Sequence, residues 1–378
     1  MANKLAYLSL NREKLPNIFI IGARGFPNIQ GGIETHCEGL YQRIDKKRYK
    51  ITALTIKQYT KKDFWQGIYF IKIPSIGLKY FQKPIYNMIA ALYCIFKKPD
   101  IIHIHGLNGG FFIWLFKIFR LKVVATYHSR DYLYPKWNLF AKFILKLCEK
   151  QFMLADYIIT ISNNYLIHFK NMGRSSNINY IPNGVDLPDR SKYEGRTSFL
   201  NRWGLKKNSY ILTVGRITPE KNYETVIKAF KIANLNGINL VIVGEQDFQK
   251  NYYKYLKKLA NENVIFTGRL NKMDVYTLYA NCIIFVLASI YEGLPNSLLE
   301  ALSFNCNVLI SDINAHIEIG LSPDNYFKVK NEFDLANKLK LKVYSKKKED
   351  FSDFIIKKYH WENISNKIML IYEMLLNR

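Results

Sequence analysis

Ile283-Ile-Phe-Val-Leu-Ala-Ser-Ile-Tyr-Glu-Gly-Leu-Pro-Asn-Ser-Leu-Leu-Glu300 decides the fold. Its first five residues are uncharged and β-prone, Gly293 and Pro295 punctuate a turn, and a helical pattern opens at Asn296. A strand apolar on both faces that runs at once into a helix is the repeating unit of a helix-covered parallel sheet. The unit recurs upstream and downstream. Apolar runs at Tyr210–Val214, Asn239–Val243 and Asn263–Thr267 alternate with helical patterns at Tyr223–Ala233, Tyr252–Ala260 and Met273–Ala280, and Asn307–Ile310 follows the helix Asn296–Phe304. An earlier series runs through Asn17–Ile21, a helix from about Ile33 to Ile44, then Lys50–Ile56, Ile101–His105, Lys122–Tyr127 and Tyr157–Ser162. In that first helix Ile33, Cys37, Leu40 and Ile44 recur on one face, which predicts packing on the sheet.

A chain of 378 residues is too long for one ordinary core. The expected fold class is therefore α/β, with two Rossmann-like, doubly wound domains facing a cleft, and ligands outside the carboxyl ends of the strands. The expected boundaries are 1–187, 188–357 and a last segment, 358–378, carrying the helix Trp361–Leu376. The polar stretch 187–208 shows no strand pattern and is read as the linker. Lys338–Asp350 is read as a solvated helix face and turn.

Composition narrows the function. With 49% apolar and 22% charged residues the chain is not mainly disordered. Its five cysteines are odd in number, scattered and free of C-x-x-C spacing, which argues against a disulfide framework or a thiolate zinc site and favours a reducing compartment. The longest uncharged apolar stretch, Ile85–Phe96 between Lys83 and Lys97-Lys98, is too short to span a bilayer. The start, MANKLAYLSLNREK, lacks the apolar core of a secretory signal. The expected location is cytoplasmic, peripheral at the inner face of the cell membrane. Net charge is +25, with 27 basic and 10 acidic side chains in residues 1–187 against 28 and 20 beyond. Such basicity suits nucleic acid or an anionic membrane; the lysines are scattered over helices rather than gathered in a nucleic-acid module, so no nucleic-acid partner is expected. Phe111–Lys122, rich in aromatics and containing Lys117, Arg120 and Lys122, and Lys79–Lys98 are the candidate interfacial segments, with packing on the sheet as the alternative for each.

Three loops carry chemistry. The turn Gly293-Leu294-Pro295-Asn296 opens a helix whose first N–H groups suit an anion, with Pro295 placed at the first helical position. Glu292 and Glu300 flank it. They suit sugar hydroxyls better than phosphate, or else serve as a dipole partner and a surface charge. Gly215-Arg-Ile-Thr-Pro-Glu-Lys221-Asn222 again follows a strand, and its forked Arg216 and flexible Lys221 suit a diphosphate. Gly22-Ala-Arg-Gly-Phe-Pro-Asn-Ile-Gln-Gly31-Gly32 lets backbone approach a ligand, but it is not G-x-G-x-x-G and no acidic ribose partner ends a second strand, which argues against a nicotinamide enzyme. His103 and His105 end a strand without a carboxylate or third histidine at ligand spacing, so no metal is expected.

Taken together these residues resemble the retaining glycosyltransferases of family 4, of the GT-B fold. The likeness rests on the glutamates Glu292 and Glu300, on Gly215–Asn222, on Pro182-Asn183-Gly184-Val185-Asp186 and on Gly31-Gly32. The G-x-R-G-x-P and G-G-x-E-T elements and Trp137–Lys150 are similar to bacterial surface-polysaccharide enzymes, several of them rhamnosyltransferases. The resemblance implies that Glu292 binds the donor sugar, Glu300 the ribose, Arg216 and Lys221 the diphosphate, and that His128 lies beside the transferred sugar. It also implies that the last helix crosses back to the first domain. The reaction expected from it moves a hexosyl or deoxyhexosyl unit from a nucleotide-diphosphate sugar to a saccharide acceptor, polyprenyl-diphosphate-linked, with no cofactor. A non-hydrolysing nucleotide-sugar epimerase of similar fold is the alternative.

Overall fold

The alternation of strands and helices builds two sheets. In the computed structural model, which describes residues 15–74, 82–134, 137–246, 250–345 and 349–378, the first sheet holds β1 (Asn17–Ile21), β2 (Lys50–Ile56), β3 (Phe64–Trp65), β4 (Ile68–Ile73), β5 (Ile101–His105), β6 (Val123–Tyr127), β7 (Tyr157–Thr160) and β8 (Ile178–Tyr180). Their spatial order is β3-β4-β2-β1-β5-β6-β7-β8, parallel except for β3 against β4. The second sheet holds β9 (Tyr210–Val214), β10 (Asn239–Val243), β11 (Val264–Gly268), β12 (Ile284–Leu287), β13 (Asn307–Ser311) and β14 (Tyr326–Phe327), in the order β11-β10-β9-β12-β13-β14. Both sheets reverse their winding beside their first strand. The first switch point lies between β1 and β5 and the second between β9 and β12, where a crevice opens at the carboxyl edge.

Successive residues of β1 face opposite ways and feed two cores. Ile18 and Ile20 pack with Cys37, Leu40 and Tyr41 of the first helix, Gly32–Tyr41, and with Ile364, Ile368 and Tyr372 of the last, Trp361–Leu376. Phe19 and Ile21 pack on the other face with Ala90, Cys94, Ile113 and Phe152. The last helix thus returns to the first sheet. At its start the Trp361 indole fills the space over Gly39 and Gly184, where an added Cβ would lie 2.3 Å from the ring. Beside it the Val185 N–H donates to the Tyr359 carbonyl at 2.8 Å. All five cysteines are free and buried.

Several sequence expectations change. Residues 187–208 are not a plain linker. They hold short helices at Ser191–Glu194 and Thr197–Arg202, bury Phe199, Leu200 and Leu205, and tie to the second domain by the Arg196–Asp274 ion pair at 3.0 Å. Phe111–Lys122 is not one interfacial helix: it divides into a 3₁₀ turn, Leu107–Phe112, and a short α-helix, Ile113–Ile118, broken before Arg120 at φ 55°. Two of its three cations are used internally, Lys117 on Asp156 at 2.6 Å and Lys122 on the Leu375 carbonyl at 2.9 Å. Strands β3, β4, β8 and β14 have no counterpart in the sequence reading, three of them being too short to show a period. The signal-peptide reading of residues 1–14 and the Lys79 end of Lys79–Lys98 lie outside the described residues.

No helix among the described residues is long and apolar enough to cross a membrane. Trp361→Ala should destabilise the protein by about 3–5 kcal/mol, since a buried indole is removed from between two backbone segments that cannot collapse onto each other. Urea denaturation followed by circular dichroism measures it, and a change under 1 kcal/mol would contradict the packing argument.

Candidate active site

The second domain's loops meet at its switch point because β9 and β12 are neighbours. After β9 the chain makes the 3₁₀ turn Pro219–Lys221, and Asn222, at φ 54°, starts the helix Tyr223–Ala233. After β12 the Ile290 N–H donates to the Glu220 carbonyl at 2.8 Å and ties the two loops together. This brings the Lys221 ammonium onto the Glu292 carboxylate, which also accepts from Ser289 Oγ at 2.7 Å. Burial pushes the Glu292 carboxyl up, but the charge and hydrogen bond of Lys221 and the Ser289 hydroxyl outweigh it and hold the group below its ordinary value. Arg216, on the same loop, faces across the cleft, close enough to Lys83 for their like charges to interact. Pro295 sits one position earlier than expected, just before the helix Asn296–Ser303.

Glu300 lies in that helix, half-buried, with the Tyr279 hydroxyl 3.4 Å from its carboxylate. Burial raises its carboxyl to about 7, against the opposing charge of Lys272.

The first domain's contribution lies at the β1/β5 switch point. Gly22, at φ 101°, would place a Cβ 2.0 Å from the His105 carbonyl, so only glycine lets these two strand ends approach. Across the loop that follows, Arg24 Nε pairs with the buried Glu34 at 2.8 Å and Arg24 Nη2 donates to the Gln30 carbonyl, which straps Gly31 and Gly32 in place. A recess here is lined by Arg24, Lys83, Asn87, Asn108 and Asp131. A second recess, between the domains, is lined by Arg130, Tyr134, Tyr165, Tyr291, Glu292 and Asn314. The Tyr134 hydroxyl is raised by burial and by the charges of Asp131 and Glu292, which places both carboxylates around one ring.

The domains touch along a seam of expected site residues. Tyr165 Oη donates to the Glu292 carbonyl at 3.2 Å, Asn183 Nδ2 to the Leu294 carbonyl at 2.9 Å, and Asn296 Nδ2 to the Gly32 carbonyl at 3.1 Å. A Cβ on Gly293 would lie 2.4 Å from the His128 carbonyl. Sequence reading missed Arg24, Glu34, His36, Asp131 and Asn183. Arg24, Glu34 and Asn183 stand inside motifs that carry the resemblance but were given no role there, and nothing in the sequence around His36 or Asp131 assigns them one.

The expectation that His105 has no third histidine near it is corrected. Ring nitrogens of His36, His105 and His128 all lie within 4.8 Å of one another, and all three rings are buried. Burial lowers each of them, so neutral imidazoles, the form that binds zinc, meet there. Two of these nitrogens, His105 Nδ1 and His128 Nε2, are already 3.2 Å apart as a hydrogen-bonded pair. The histidines come from the first helix, the end of β5 and the residue after β6, and no spacing rule joins them.

Because Glu300 titrates near 7 when folded and near 4.5 otherwise, the folded protein holds a proton that the unfolded chain has lost between those values. Stability should therefore fall as pH rises from about 4.5 to 7, by up to about 3 kcal/mol from this group. Urea titrations at pH 5 and 7.5 should show the fall in wild type and a smaller one in Glu300→Gln; equal falls would remove the assignment.

Two family models match the chain, "Glycosyltransferase Family 4" over residues 30–188 and "Glycosyl transferases group 1" over residues 196–374. A Campylobacter jejuni N-acetylgalactosamine-N,N'-diacetylbacillosaminyl-diphospho-undecaprenol 4-alpha-N-acetylgalactosaminyltransferase is 30% identical over 251 residues, 64% of this chain and 63% of that one. An Escherichia coli UDP-Gal:alpha-D-GlcNAc-diphosphoundecaprenol alpha-1,3-galactosyltransferase is 33% identical over 168 residues, 42% and 40% of the two chains. Among solved structures, sucrose-phosphate synthase from Thermosynechococcus elongatus superposes with a TM-score of 0.79 at 17% identity, covering 96% of this chain and 99% of that one. The epimerase alternative finds no support in these matches. Two family models that between them span both sheets, and a structural match over nearly the whole chain, place the protein among the family 4 glycosyltransferases of the GT-B fold.

Proposed function

We propose that the protein transfers a hexosyl or deoxyhexosyl unit, with retention, from a nucleotide-diphosphate sugar to a polyprenyl-diphosphate-linked saccharide in the assembly of a bacterial surface polysaccharide, O-antigen or capsule. The observation that carries this reading is the meeting of Lys221 and Glu292 at the second switch point, directly under the seam where Gly293 meets His128. A cation and a hydrogen-bonded carboxylate side by side suit the two halves of a nucleotide-sugar donor. Two relatives named for diphosphoundecaprenol acceptors support the acceptor class.

On this reading the diphosphate binds Arg216 and Lys221, with the backbone of Gly293, Leu294, Pro295 and Asn296 and of Gly31 and Gly32 close to the donor. Glu300 accepts from the ribose hydroxyls. Lys221 passes from Glu292 to the phosphates, and Glu292 is freed to accept from sugar hydroxyls. The acceptor enters the first-domain recess, where Asp131 and Lys83 meet its hydroxyls. The bond from the anomeric carbon to the phosphate oxygen breaks, the acceptor oxygen bonds to the same face, and its proton goes to the departing phosphate. No protein nucleophile is required. The chain contributes position and charge, and the closed seam excludes water. One guanidinium and one ammonium group do the work a divalent cation would do, so the reaction runs without metal or other cofactor.

The surface that suits a membrane lies on the helix before β7. Leu139–Phe152 buries Leu145, Cys148 and Phe152 but leaves Leu139, Phe140 and Phe143 exposed at 86%, 73% and 57%, beside Lys142 and Lys146. Large apolar side chains among lysines suit an anionic leaflet, where each nearby cation adds about 1 kcal/mol. This supports peripheral attachment at the inner face of the cytoplasmic membrane.

Incubation with UDP-galactose, UDP-N-acetylgalactosamine, dTDP-rhamnose or GDP-mannose and a short-chain polyprenyl-diphosphate-N-acetylglucosamine should give a glycosylated lipid with the donor's anomeric configuration, at a rate unchanged by excess chelator. Glu292→Gln should slow turnover on the order of tenfold to a hundredfold while leaving nucleotide binding largely intact. Chelation that stops transfer, restored by magnesium or manganese, would contradict the metal-free mechanism. Independently, protein should co-sediment with anionic vesicles at low salt and be released as salt rises, and replacing Leu139, Phe140 and Phe143 by Ser should abolish sedimentation without shifting the melting temperature.

A further inference from the structure

Six side chains buried to 7% exposure or less stand in single file beneath the seam. Thr126 Oγ1 lies 2.7 Å from His103 Nε2, and His103 Nδ1 lies 2.5 Å from the Tyr372 hydroxyl. The hydroxyls of Tyr372 and Tyr41 lie close enough to interact. Tyr41 Oη is 2.5 Å from His105 Nε2, and His105 Nδ1 is 3.2 Å from His128 Nε2. The file draws on the last helix, the first helix and two strands, and it ends at the residue whose carbonyl touches Gly293.

A neutral imidazole carries one N–H and one bare nitrogen, and each hydroxyl carries one hydrogen. Burial holds the three histidines neutral, below their ordinary values. The hydrogens must then all point the same way along the file, because a reversal anywhere would set two hydrogens or two lone pairs against each other where no solvent reaches. The direction is fixed at the far end. Among the described residues the hydrogen-bond partner of Thr126 Oγ1 is His103 alone. If His103 Nε2 donated to Thr126, the threonine's own hydrogen would be buried without an acceptor. So Thr126 donates to His103, and His103 Nδ1–H to Tyr372. By the same reasoning Tyr41, whose hydroxyl among the described residues is hydrogen-bonded to His105 alone, donates to His105 Nε2, and His105 Nδ1–H to His128 Nε2. His36 does not compete. Its Nδ1–H is taken by Asn183 Oδ1 at 2.9 Å, and Asn183 is itself oriented because its Nδ2 donates to the Leu294 carbonyl, which leaves the nitrogen that faces the cluster bare.

We infer that this file is a tautomer lock, which keeps the proton of His128 on Nδ1 and makes Tyr41 a positioning residue for the donor-facing histidine. The effect on turnover rests on the proposed glycosyl transfer and on His128 facing the sugar; the lock itself does not. With its Nε2 occupied from below, the ring presents Nδ1–H as a donor on its other edge, and a wrong tautomer would present a lone pair there instead.

Protein labelled with ¹⁵N in its histidine rings reports each tautomer by long-range ¹H–¹⁵N correlation, with the His128 signals identified by their loss in His128→Gln. In wild type His128 should be protonated at Nδ1 only. Tyr41→Phe, which keeps the packed ring, should release His128 into a mixture of tautomers and lower turnover several-fold to tenfold with nucleotide affinity unchanged. Tyr372→Phe should release His103 while leaving the His128 proton on Nδ1, since Tyr41 still donates to His105; a loss of packing alone would not give this pattern. A wild-type His128 protonated at Nε2 overturns the inference without any variant, as do His128 signals that stay unmoved in Tyr41→Phe. Zinc held stoichiometrically by the purified protein would also overturn it, because the metal would take the nitrogens that hold the proton. If the tautomers respond as expected and turnover does not change, the lock stands and the donor-facing role of His128 falls.

Discussion

The near-contact of the Gly293 backbone with the His128 carbonyl is the constraint on which the site depends. Each sheet opens a crevice where its winding reverses, and neither crevice alone holds both halves of the chemistry. Only because residue 293 carries no Cβ do the two carboxyl edges come together, so that the loop bearing Glu292 reaches the strand end bearing His128. The other seam bonds, from Tyr165, Asn183 and Asn296, fasten what that approach allows. A second reversal, inside each domain, sets up the first. Lys221 stands on Glu292 because β9 and β12 are sheet neighbours although some seventy residues separate them in the chain.

Much of this was legible in the sequence because it is written locally. Continuous apolar runs and amphipathic helices announce the alternating elements, and Gly215–Asn222 and Ser289–Glu300 sit where a strand hands over to a helix. What was not legible is whatever depends on side chains meeting from distant segments. Residues 187–208 look polar in sequence, yet Phe199, Leu200 and Leu205 find a core there. Lys117 and Lys122 look like free cations until Asp156 and the end of the last helix are placed beside them. The histidine cluster is the clearest case: two members were visible as a pair at the end of β5, but His36 and His128 join them only through the packing of the first helix and the neighbouring strand. Nothing in the sequence around Tyr41 or Tyr372 signals that their hydroxyls reach buried histidines.

Charge in the cleft is held in pairs rather than as a bare basic surface. Lys221 rests on Glu292 and Arg24 on Glu34, each carboxylate mostly buried and held ionised by its cation. The two pairs differ in what surrounds them. Arg24 and Glu34 also bond to loop backbone and act as a brace. Glu292 lines the recess between the domains with Lys221 resting on it, and there a dianionic ligand can exchange one partner for another. On the proposed reading this makes donor binding and sugar orientation a single event, since the carboxylate becomes available to hydroxyls only when its lysine is drawn to phosphate.

The chain passes between the domains twice, once on the way out through Val185 and once on the way back through His360, and the two passages are paired to each other as a short parallel bridge with the Trp361 indole wedged behind them. Two crossings fastened side by side behave as a strap rather than a swivel. They bend about an axis across their common width and resist twisting, which leaves opening and closing of the cleft as the soft motion and keeps the facing loops in register while it happens. The same arrangement means that a cut in either passage leaves the domains joined by the other, so the two halves of the catalytic apparatus remain one molecule even when the backbone between them is broken.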